Sequence, residues 1–299
     1  MDPPGVRCTE AGSLSVGRVV VVGNAGLDKR LVVPRLPLAG ETLIGRGGES
    51  APGGKGLNQA VVAARCGGAV RFCAPLGNDA AEANALEQVL SAEGLETRLP
   101  RLPHATDFSL LMVLPDGENS IVSTSACSLA LDRAQAEPAL DGIGKGDVLL
   151  LQGNLSLDLT GFLLATARGR GAITVFNPAP FWPGAEQLAG HCNLLIANRL
   201  EAEAMGDALC AADRAIVTLG ADGCRLVEDG RTFAAPAVSA VDTTGCGDTF
   251  CGVIAAALAA GRSLEAAIDA AQRAAALTAT RAGAFAALPT RAELAAILS

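Results

Sequence analysis

The amino-acid sequence predicts one doubly wound α/β domain with a mainly parallel sheet and a small β-sheet flap beside it. Short, continuously apolar runs alternate with helical patterns, as expected of parallel strands covered on both faces. Two early stretches break that alternation. Hydrophobic residues make up 50% of the 299 residues and aromatic residues only 3%, so the core must consist of Ala, Val and Leu.

The elements of the main sheet follow in chain order. Six apolar runs are predicted to be buried strands: 18–23, 70–75, 147–153, 173–177, 193–198 and 215–220. Apolar residues at helical spacing lie between and after these strands. They are Leu57, Ala60, Val61 and Ala64; Leu86, Val89 and Leu90; Phe250, Val253, Ile254, Ala257 and Leu258; and Leu264, Ala267, Ile268 and Ala271.

The flap is predicted from 29–45 and 108–125, which have the pattern of hairpin strands. The second hairpin is expected to turn at Pro115, Asp116 and Gly117. The lid segments are therefore set at about 29–50 and 97–126, within a single domain of residues 18–299. Residues 1–17 contain acids and prolines but no apolar signal core, and we expect a disordered leader.

Composition and charge exclude several classes of function. A formal charge of −8 disfavours nucleic acid or an anionic membrane as the partner. The longest apolar runs, of about ten residues, are too short to span a bilayer. Nine cysteines occur singly with no CxxC pair, which indicates reduced thiols in a cytoplasm. With only two histidines, a histidine-based triad or metal cluster is not expected.

The "GGKG" segment at 53–56 precedes a predicted helix and indicates either a phosphate loop or a flexible turn with a solvated lysine. The Walker pattern fails because Glu49 occupies its first glycine position and Gly56 follows Lys55. No G-x-G-x-x-G follows a strand, so a dinucleotide-binding oxidoreductase lacks its fingerprint. Alone, this segment leaves both interpretations open.

The "DTTGCGD" segment at 242–248 joins an extended stretch to a helix. The first N–H groups of that helix, at Gly245, Cys246, Gly247 and Asp248, would form a cradle for developing negative charge. A carboxylate at Asp248 beside such a cradle can accept a proton from an attacking hydroxyl. The alternative is that Asp248 is an ordinary helix-capping residue.

Taken together, "GGKGLNQA" (53–60) and "DTTGCGDTF" (242–250) resemble the two signatures of the ribokinase, or PfkB, family of carbohydrate kinases. Further segments follow in family order from about residue 18 to 290: "GETLIG", "NPAP", "NRLE", "TLGADG" and "TRAGA". The resemblance implies a Rossmann-like sheet with a β-sheet lid, ATP as phosphoryl donor, Mg²⁺, and transfer to a primary alcohol of a sugar.

The resemblance also implies a role for each matching residue. Asp248 would be the catalytic base and Gly245, Cys246 and Gly247 the anion hole, with only the backbone of Cys246 required. The substrate-binding residues would be Asp28, Gly54, Lys55, Gly56, Asn58, Asn154 and Asp248. The ATP-binding residues would be Asn198, Glu201, Thr218, Leu219, Gly220, Ala221, Asp222, Gly223, Gly247 and Gln272. A monovalent-cation site suited to K⁺ would comprise Asp242, Thr244, Thr278, Arg281, Gly283 and Ala287.

The chain departs from the ribokinase pattern on both sides of the site. On the sugar side, Gly26 replaces an asparagine, Asn154 replaces a glutamate, and "ACS" (126–128) replaces "GAN". On the nucleotide and cation side, Gln272 replaces a histidine and Ala287 a serine.

The resemblance nevertheless makes D-ribose the first expected substrate, with a nucleoside or another deoxy, keto or acidic sugar as the alternative. A non-catalytic sugar-binding regulator is a further alternative, which the retained Asp248 and Glu201 disfavour. No nucleic acid or membrane partner is expected, and the lid offers a surface for a homodimer.

Overall fold

A computed structural model describes residues 17–115 and 119–299 of the chain. The predicted leader therefore lies, apart from Gly17, outside the described residues, as do Asp116 and Gly117 of the predicted turn. Among the residues described, no helix has both the length and the apolar character needed to cross a bilayer.

The described residues form fifteen strands, numbered here in chain order. They are β1 (Val19–Val22), β2 (Gly26–Val32), β3 (Arg46–Gly53), β4 (Val70–Cys73), β5 (Leu76–Gly77), β6 (Glu96–Arg98), β7 (Arg101–Leu102), β8 (Asp107–Val113), β9 (Asn119–Ser123), β10 (Val148–Gln152), β11 (Ile173–Asn177), β12 (Leu194–Asn198), β13 (Arg214–Thr218), β14 (Cys224–Leu226) and β15 (Thr232–Phe233).

Nine α-helices lie in the same described ranges. They are α1 (Lys55–Arg65), α2 (Ala80–Ala92), α3 (Ala126–Leu129), α4 (Arg133–Ala136), α5 (Leu157–Gly169), α6 (Arg199–Met205), α7 (Cys246–Ala259), α8 (Leu264–Ala279) and α9 (Arg291–Leu298). Side-chain caps determine where several begin: Ser156, Ser263 and Thr290 each accept a hydrogen bond from a backbone N–H in the first turn of the helix that follows.

The main sheet has nine strands in the order β15-β14-β13-β12-β11-β10-β1-β4-β6. The seven strands from β13 to β6 pair in parallel, and β14 and β15 add antiparallel strands at one edge. All six predicted strands are present with bounds shifted by at most two residues. The predicted mainly parallel α/β fold is therefore confirmed.

Strand β1 shows why continuous apolar runs indicate this architecture. Val19 and Val21 belong to the core on the face covered by α1, α7 and α8, whereas Val20 and Val22 pack in the core on the α5 face. All four side chains are at most 1% exposed. Because successive side chains of a strand point to opposite faces, a strand buried on both faces has no polar position.

The small sheet has four strands in the order β3-β2-β8-β9. Strand β2 pairs antiparallel with β3 and parallel with β8, and β8 forms a hairpin with β9. The predicted hairpin within 29–45 is wrong, because residues 34–45 form no strand and β2 pairs with 46–53 instead. Strand β3, "RGGESAPG", is mostly exposed and glycine-rich, so its sequence carries no alternating pattern and only pairing with β2 makes it a strand.

The second lid segment also begins later than predicted. Residues 96–98 form the edge strand β6 of the main sheet, and β7 pairs with β5 in a separate two-stranded sheet. The small sheet takes up the chain again only at Asp107. The function of this sheet as a lid remains a prediction.

Candidate active site

Helix α7 begins at Cys246, within the "DTTGCGD" segment, as predicted. Its first turn lines a cavity with Asn198 and Thr218, the last residues of β12 and β13. The N-cap of α7 is Gly245 with φ +83°, a left-handed conformation that side chains disfavour. The N–H of Cys246 bonds to the carbonyl of Thr243 at 3.3 Å. A Cβ placed on Gly247 would meet nothing within 4 Å, so this turn faces open space.

The Asp248 side chain lies at the base of that turn and is 7% exposed. Asn58 donates from Nδ2 to Asp248 Oδ2 at 3.0 Å, and Gln59 donates from Nε2 to Asp248 Oδ1 at 3.0 Å. The structure thus brings Asp248 together with α1 across about 190 residues of sequence. Both carboxylate oxygens keep a further lone pair for a third partner.

Gln59 was missed by the sequence analysis. It is fully buried, and its Oε1 accepts from Gln152 Nε2 at 2.8 Å. Its Nε2 also donates to Asn177 Oδ1 at 3.2 Å, and Asn177 Nδ2 donates to the carbonyl of Ile196 at 2.8 Å. The signal available was a second amide directly after Asn58 on a helix whose other buried side chains are apolar.

Asp28 lies on β2 of the small sheet, facing the same site. Burial and, to a smaller extent, the nearby Asp248 carboxylate raise the pKa of Asp28 to about 6, against the opposite effects of Ser109 and Lys55. A Cβ on Gly53 would lie 2.4 Å from the carboxylate oxygens of Asp28, so a larger residue on β3 would displace this carboxylate. Asp28 is therefore a partly buried carboxylate at the meeting of the two sheets.

A small hollow beside Asp28 is lined by Asn24, Gly26, Gly54 and Asp107, among others. A Cβ on Gly26 would lie 2.3 Å from the carbonyl oxygen of Asp107, so the asparagine of the family pattern does not fit on this backbone. The buried Asp107 carboxylate accepts from the N–H groups of Cys127 at 3.2 Å and Ser128 at 2.8 Å.

The "ACS" segment that departs from the family pattern is thus tied to β8 through Asp107, which the sequence analysis also missed. Asn24, in the 23–25 connection, is tied to α1 in a similar way. Its Oδ1 accepts from the N–H of Gly56 at 3.1 Å, and its carbonyl accepts from the N–H of Leu57 at 3.0 Å.

Asn154 lies in the turn after β10, and the described contacts do not join it to the other predicted sugar-binding residues. Its Oδ1 is buried and accepts no hydrogen bond from any described residue. A buried amide oxygen without a donor is unfavourable, so it is available to a hydroxyl.

A cavity of about 790 Å³ opens on the other side of Asp248. Of the residues predicted for ATP, the base and the anion hole, all but Glu201 line it: Asn198, Thr218, Leu219, Gly220, Ala221, Asp222, Gly223, Gly245, Cys246, Gly247, Asp248 and Gln272. Lys55, predicted to bind the sugar, and Thr244, predicted for the cation, line it as well. Lining residues that the sequence analysis missed are Ile121, Arg199, Leu200, Thr243, Phe250 and Ala275. Gln272 donates from Nε2 to the carbonyl of Phe233 at 2.7 Å, which holds its side chain at the cavity wall.

Asn198 and Glu201 form a reciprocal capping box at the start of α6. Asn198 Oδ1 accepts from the N–H of Glu201, and Glu201 Oε2 accepts from the N–H of Asn198, both at 2.9 Å. Glu201 Oε1 accepts from Asn198 Nδ2 at 2.9 Å. Burial raises the pKa of Glu201, partly offset by the bond from the N–H of Asn198. The N-x-x-E pair is therefore a rigid unit beside the cavity.

The residues predicted for a monovalent cation connect two segments. Asp242 Oδ1 accepts from the N–H of Thr244 at 2.9 Å, and Asp242 Oδ2 accepts from the N–H of Gly283 at 2.9 Å. Burial raises the pKa of Asp242, but these hydrogen bonds outweigh it and leave the pKa below its usual value. The N–H of Arg281 donates to the carbonyl of Thr278 at 3.0 Å. Ala287 is fully buried.

Cys246 has the pKa expected of an unreactive thiol. Burial first, and then the carboxylates of Asp242 and Asp248, raise its pKa to about 11. The thiolate is the nucleophilic form of cysteine, so this side chain stays protonated near neutral pH.

Three comparisons with known proteins agree with this geometry. The profile of the family described as pfkB family carbohydrate kinase matches residues 16–291. Ribokinase from Bacillus subtilis is 32% identical over 291 residues, which cover 94% of this chain and 99% of that protein. Ribokinase from Haemophilus influenzae is 32% identical over 297 residues, covering 92% of this chain and 96% of that protein.

The solved structures give the same result for the fold. The crystal structure of ribokinase from Thermotoga maritima matches with a TM-score of 0.82 at 29% identity, covering 95% of this chain and 99% of that one. The family resemblance inferred from the two signatures is confirmed. The chain belongs to the pfkB family of carbohydrate kinases and is a sugar kinase that uses ATP as phosphoryl donor.

Proposed function

We propose that this enzyme transfers the γ-phosphoryl group of ATP to the primary hydroxyl of D-ribose, yielding ribose 5-phosphate and ADP. The observation that carries the proposal is the position of Asp248. Its carboxylate lines the 790 Å³ cavity on one side and interacts electrostatically with Asp28 on the other. A nucleotide and a sugar bound in these two places would meet at Asp248. Relatives named ribokinase support ribose as the acceptor.

In the proposed step, the sugar hydroxyl oxygen attacks the γ-phosphorus while the bond to the bridging oxygen of ADP breaks. Asp248 accepts the hydroxyl proton, so the attacking oxygen carries no positive charge. The N–H groups of Gly247 and Asp248 in the first turn of α7 lie where the positive end of the helix dipole stabilises the transferred group. Because Gly247 has no side chain, the phosphate can approach this backbone closely.

The N-x-x-E pair fits a role near magnesium. Asn198 and Glu201 provide oxygen donors, which Mg²⁺ prefers, but both Glu201 oxygens already accept from Asn198. Their remaining lone pairs suit water molecules of the metal rather than the metal itself. Mg²⁺ bound with ATP would neutralise part of the negative charge of the phosphates. Asn198 and Glu201 would hold its water shell in place.

The Asp242 loop fits an alkali cation such as K⁺. It offers one carboxylate held below its usual pKa and main-chain carbonyls nearby, and oxygen donors are the ligands that hard cations prefer. The serine of the family pattern is replaced by Ala287, so one hydroxyl is missing. Asp242, Thr244 and the 278–283 segment would hold the ion, which supplies positive charge behind the anion hole.

On the sugar side, Asp28 would accept hydrogen bonds from hydroxyls, and Lys55 and Asn58 would complete the contacts. Gly26 cannot be replaced without moving β8, so one amide contact of the family pattern is absent. A charge-assisted hydrogen bond contributes about 1.5–3 kcal/mol, so its loss at Asn154 predicts roughly tenfold to hundredfold weaker ribose binding than in a typical ribokinase. A nucleoside or another deoxy, keto or acidic sugar is the competing substrate.

Subunit pairing through the small sheet is a further part of the proposal. Large apolar side chains are exposed on and beside this sheet: Val122 at 61% on β9, and Ile44 at 83% in the segment between β2 and β3. Exposed apolar surface favours association with a partner surface. A homodimer through this region would bury these two side chains.

The deciding experiment compares kcat/KM for ribose, deoxyribose, ribonucleosides, fructose and sugar acids with ATP and Mg²⁺, reading ADP release. Ribose should have the highest value. Asn154→Glu, run in parallel, should raise kcat/KM for ribose selectively, with Asp158→Asn, an exposed acid in the first turn of α5, as the control. A higher value for another sugar that Asn154→Glu then lowers would refute ribose and show that Asn154 contacts that sugar.

A further inference from the structure

The group behind Asp248 is a chain of four buried amides and one carbonyl. Gln59 and Gln152 are fully buried, and Asn58 and Asn177 are 3% and 7% exposed. Buried amides are retained only when they are hydrogen-bonded, because an unpaired one is unfavourable. The hydrogen bonds of these amides therefore have a role beyond the packing of α1 on the sheet.

The carbonyl at one end determines the orientation of three of these amides, those of Asn177, Gln59 and Gln152. The backbone carbonyl of Ile196 can only accept, so Asn177 must present its nitrogen to that carbonyl and its oxygen to Gln59. Gln59 must then present its nitrogen to Asn177 Oδ1, and with it to Asp248 Oδ1. Gln152 completes the arrangement by donating to Gln59 Oε1.

The amide nitrogen that Gln59 presents to Asp248 is therefore fixed by the main-chain carbonyl of Ile196, through Asn177. Both amide hydrogens of Gln59 and its side-chain oxygen form hydrogen bonds within the protein, and the residue has no exposed surface. It cannot contact a sugar or a nucleotide. Asn58, by contrast, has a buried Oδ1 without a described partner, which remains available to a ligand.

We infer that Gln59 is a positioning residue of the catalytic step: it orients the Asp248 carboxylate toward the acceptor hydroxyl, through hydrogen bonds that link Gln59 to the carbonyl of Ile196 by way of Asn177 and to Gln152. The inference rests on the proposed role of Asp248 as the base. A hydrogen bond donated to a carboxylate favours its charged form, which is the form able to accept a proton.

Other titratable groups near Asp248 do not contact Gln59. Electrostatic partners of Asp248 are Asp28 on β2, Glu201 on α6, and the thiols of Cys246 and Cys251 on α7, with Lys55 acting on Asp28 and Glu201. All of them are retained when Gln59 is replaced. A change in pH dependence can therefore be assigned to the lost amide.

The test replaces Gln59 by methionine, which keeps the length of the side chain and removes its donors. Gln59→Met should lower kcat by roughly 10–100-fold, leave the sugar KM within about twofold, and move the acid limb of kcat/KM up by roughly one pH unit. Gln152→Met, which removes only the support behind Gln59, should shift both quantities in the same direction by less. Thr174→Val is the matched control, because Thr174 is buried and hydrogen-bonded at the opposite end of β11 from Asn177.

An unchanged acid limb and kcat in folded Gln59→Met would overturn the inference, as would an equal loss of kcat in Thr174→Val. If Gln59→Met does not fold, Gln152→Met decides: an unchanged pH profile there rejects the role. Asp248→Asn separates the two hypotheses. Full turnover in Asp248→Asn refutes the base itself, whereas an inactive Asp248→Asn beside a normal Gln59→Met refutes only the positioning role.

Discussion

Asp248 and Asp28 are two carboxylates of one site, but the two sheets hold them differently. Asp248, beside the main sheet, receives hydrogen bonds from two buried amides, Asn58 and Gln59, and the orientation of Gln59 traces back to the main-chain carbonyl of Ile196. Asp28, on the small sheet, is buried with less compensation, and its pKa rises to about 6. Asp248, the proposed base, is therefore hydrogen-bonded by the protein before the substrate binds. Asp28, the proposed sugar-binding residue, would gain further hydrogen bonds when the sugar binds.

Removing the charge of Asp248 is expected to have the largest effect. Asp248→Asn keeps the shape of the side chain but cannot accept the proton, so kcat should fall by roughly 10²–10⁴-fold with sugar binding nearly intact. Steady-state kinetics and sugar titration measure the two quantities. Asp158→Asn, at an exposed position of α5, is the control. Turnover within about threefold of the parent would falsify the base assignment.

The raised pKa of Asp28 also predicts how the free energy of unfolding of the ligand-free protein depends on pH. Its raised pKa means that protonation favours the folded state, so the contribution is stabilising below about pH 4 and is lost as pH rises through about 6. Asp28→Asn, neutral at every pH, should therefore raise the free energy of unfolding above pH 6 by up to about 3 kcal/mol, and leave it unchanged near pH 4. Denaturant unfolding at the two pH values measures this. Parallel curves would contradict it.

The same substitution should weaken the sugar complex. Asp28→Asn loses a charge-assisted hydrogen bond, so the sugar KM should rise by roughly 10–100-fold while kcat changes little. In the parent, affinity should fall as pH drops below about 6, because protonation of Asp28 removes its charge. The variant should show no such decline. A pH-dependent decline that persists in Asp28→Asn would assign it to another group.

The cation loop should have a smaller effect, because its ligands do not touch the substrates. Replacing Na⁺ by K⁺ at constant ionic strength should raise the rate by roughly fivefold, and Asp242→Ala should abolish that response. The rates are compared at saturating ATP and sugar. Equal rates in the two salts would remove the cation from the mechanism.

The smallest expected change is in backbone protection of the small sheet. Saturating sugar and nucleotide should slow amide hydrogen exchange in 36–46 and 108–124, since a closed lid shields these segments from water. The buried strands β1 and β10 serve as the internal reference. Unchanged exchange in both segments would refute the lid.

The two sheets also differ in how far the sequence predicts them. The main sheet is predictable because strands buried on both faces, such as β1, require uninterrupted apolar runs. Strand β3 is not, because a mostly exposed "RGGESAPG" becomes a strand only by pairing with β2. The sequence therefore predicts a hairpin within 29–45, where the apolar residues lie, and not the pairing of β2 with β3.

The site shows the same limit. The two signatures lead to Lys55 and Asp248, and the "NRLE" segment leads to Asn198; all three line one cavity in the structure. Gln59 escaped because its function depends on Asp248, 189 positions away, and on a carbonyl in a third element. Helical spacing says only that the residue is buried. Asp107 escaped for the same reason, since its partners are backbone N–H groups.

The clamp at Asn24 has a mechanical consequence. Only residues 23–25 separate β1 of the rigid sheet from β2 of the small one, a link of at most about 10 Å. Asn24 is fastened to the first turn of α1 by both its side chain and its carbonyl. Any rotation of the small sheet must therefore act as a torque on that turn, which carries Lys55 and Asn58. Because the link is so short, a rotation of the small sheet would displace the first turn of α1 and, with it, Asn58, which is hydrogen-bonded to Asp248. This connection does not require a bound ligand.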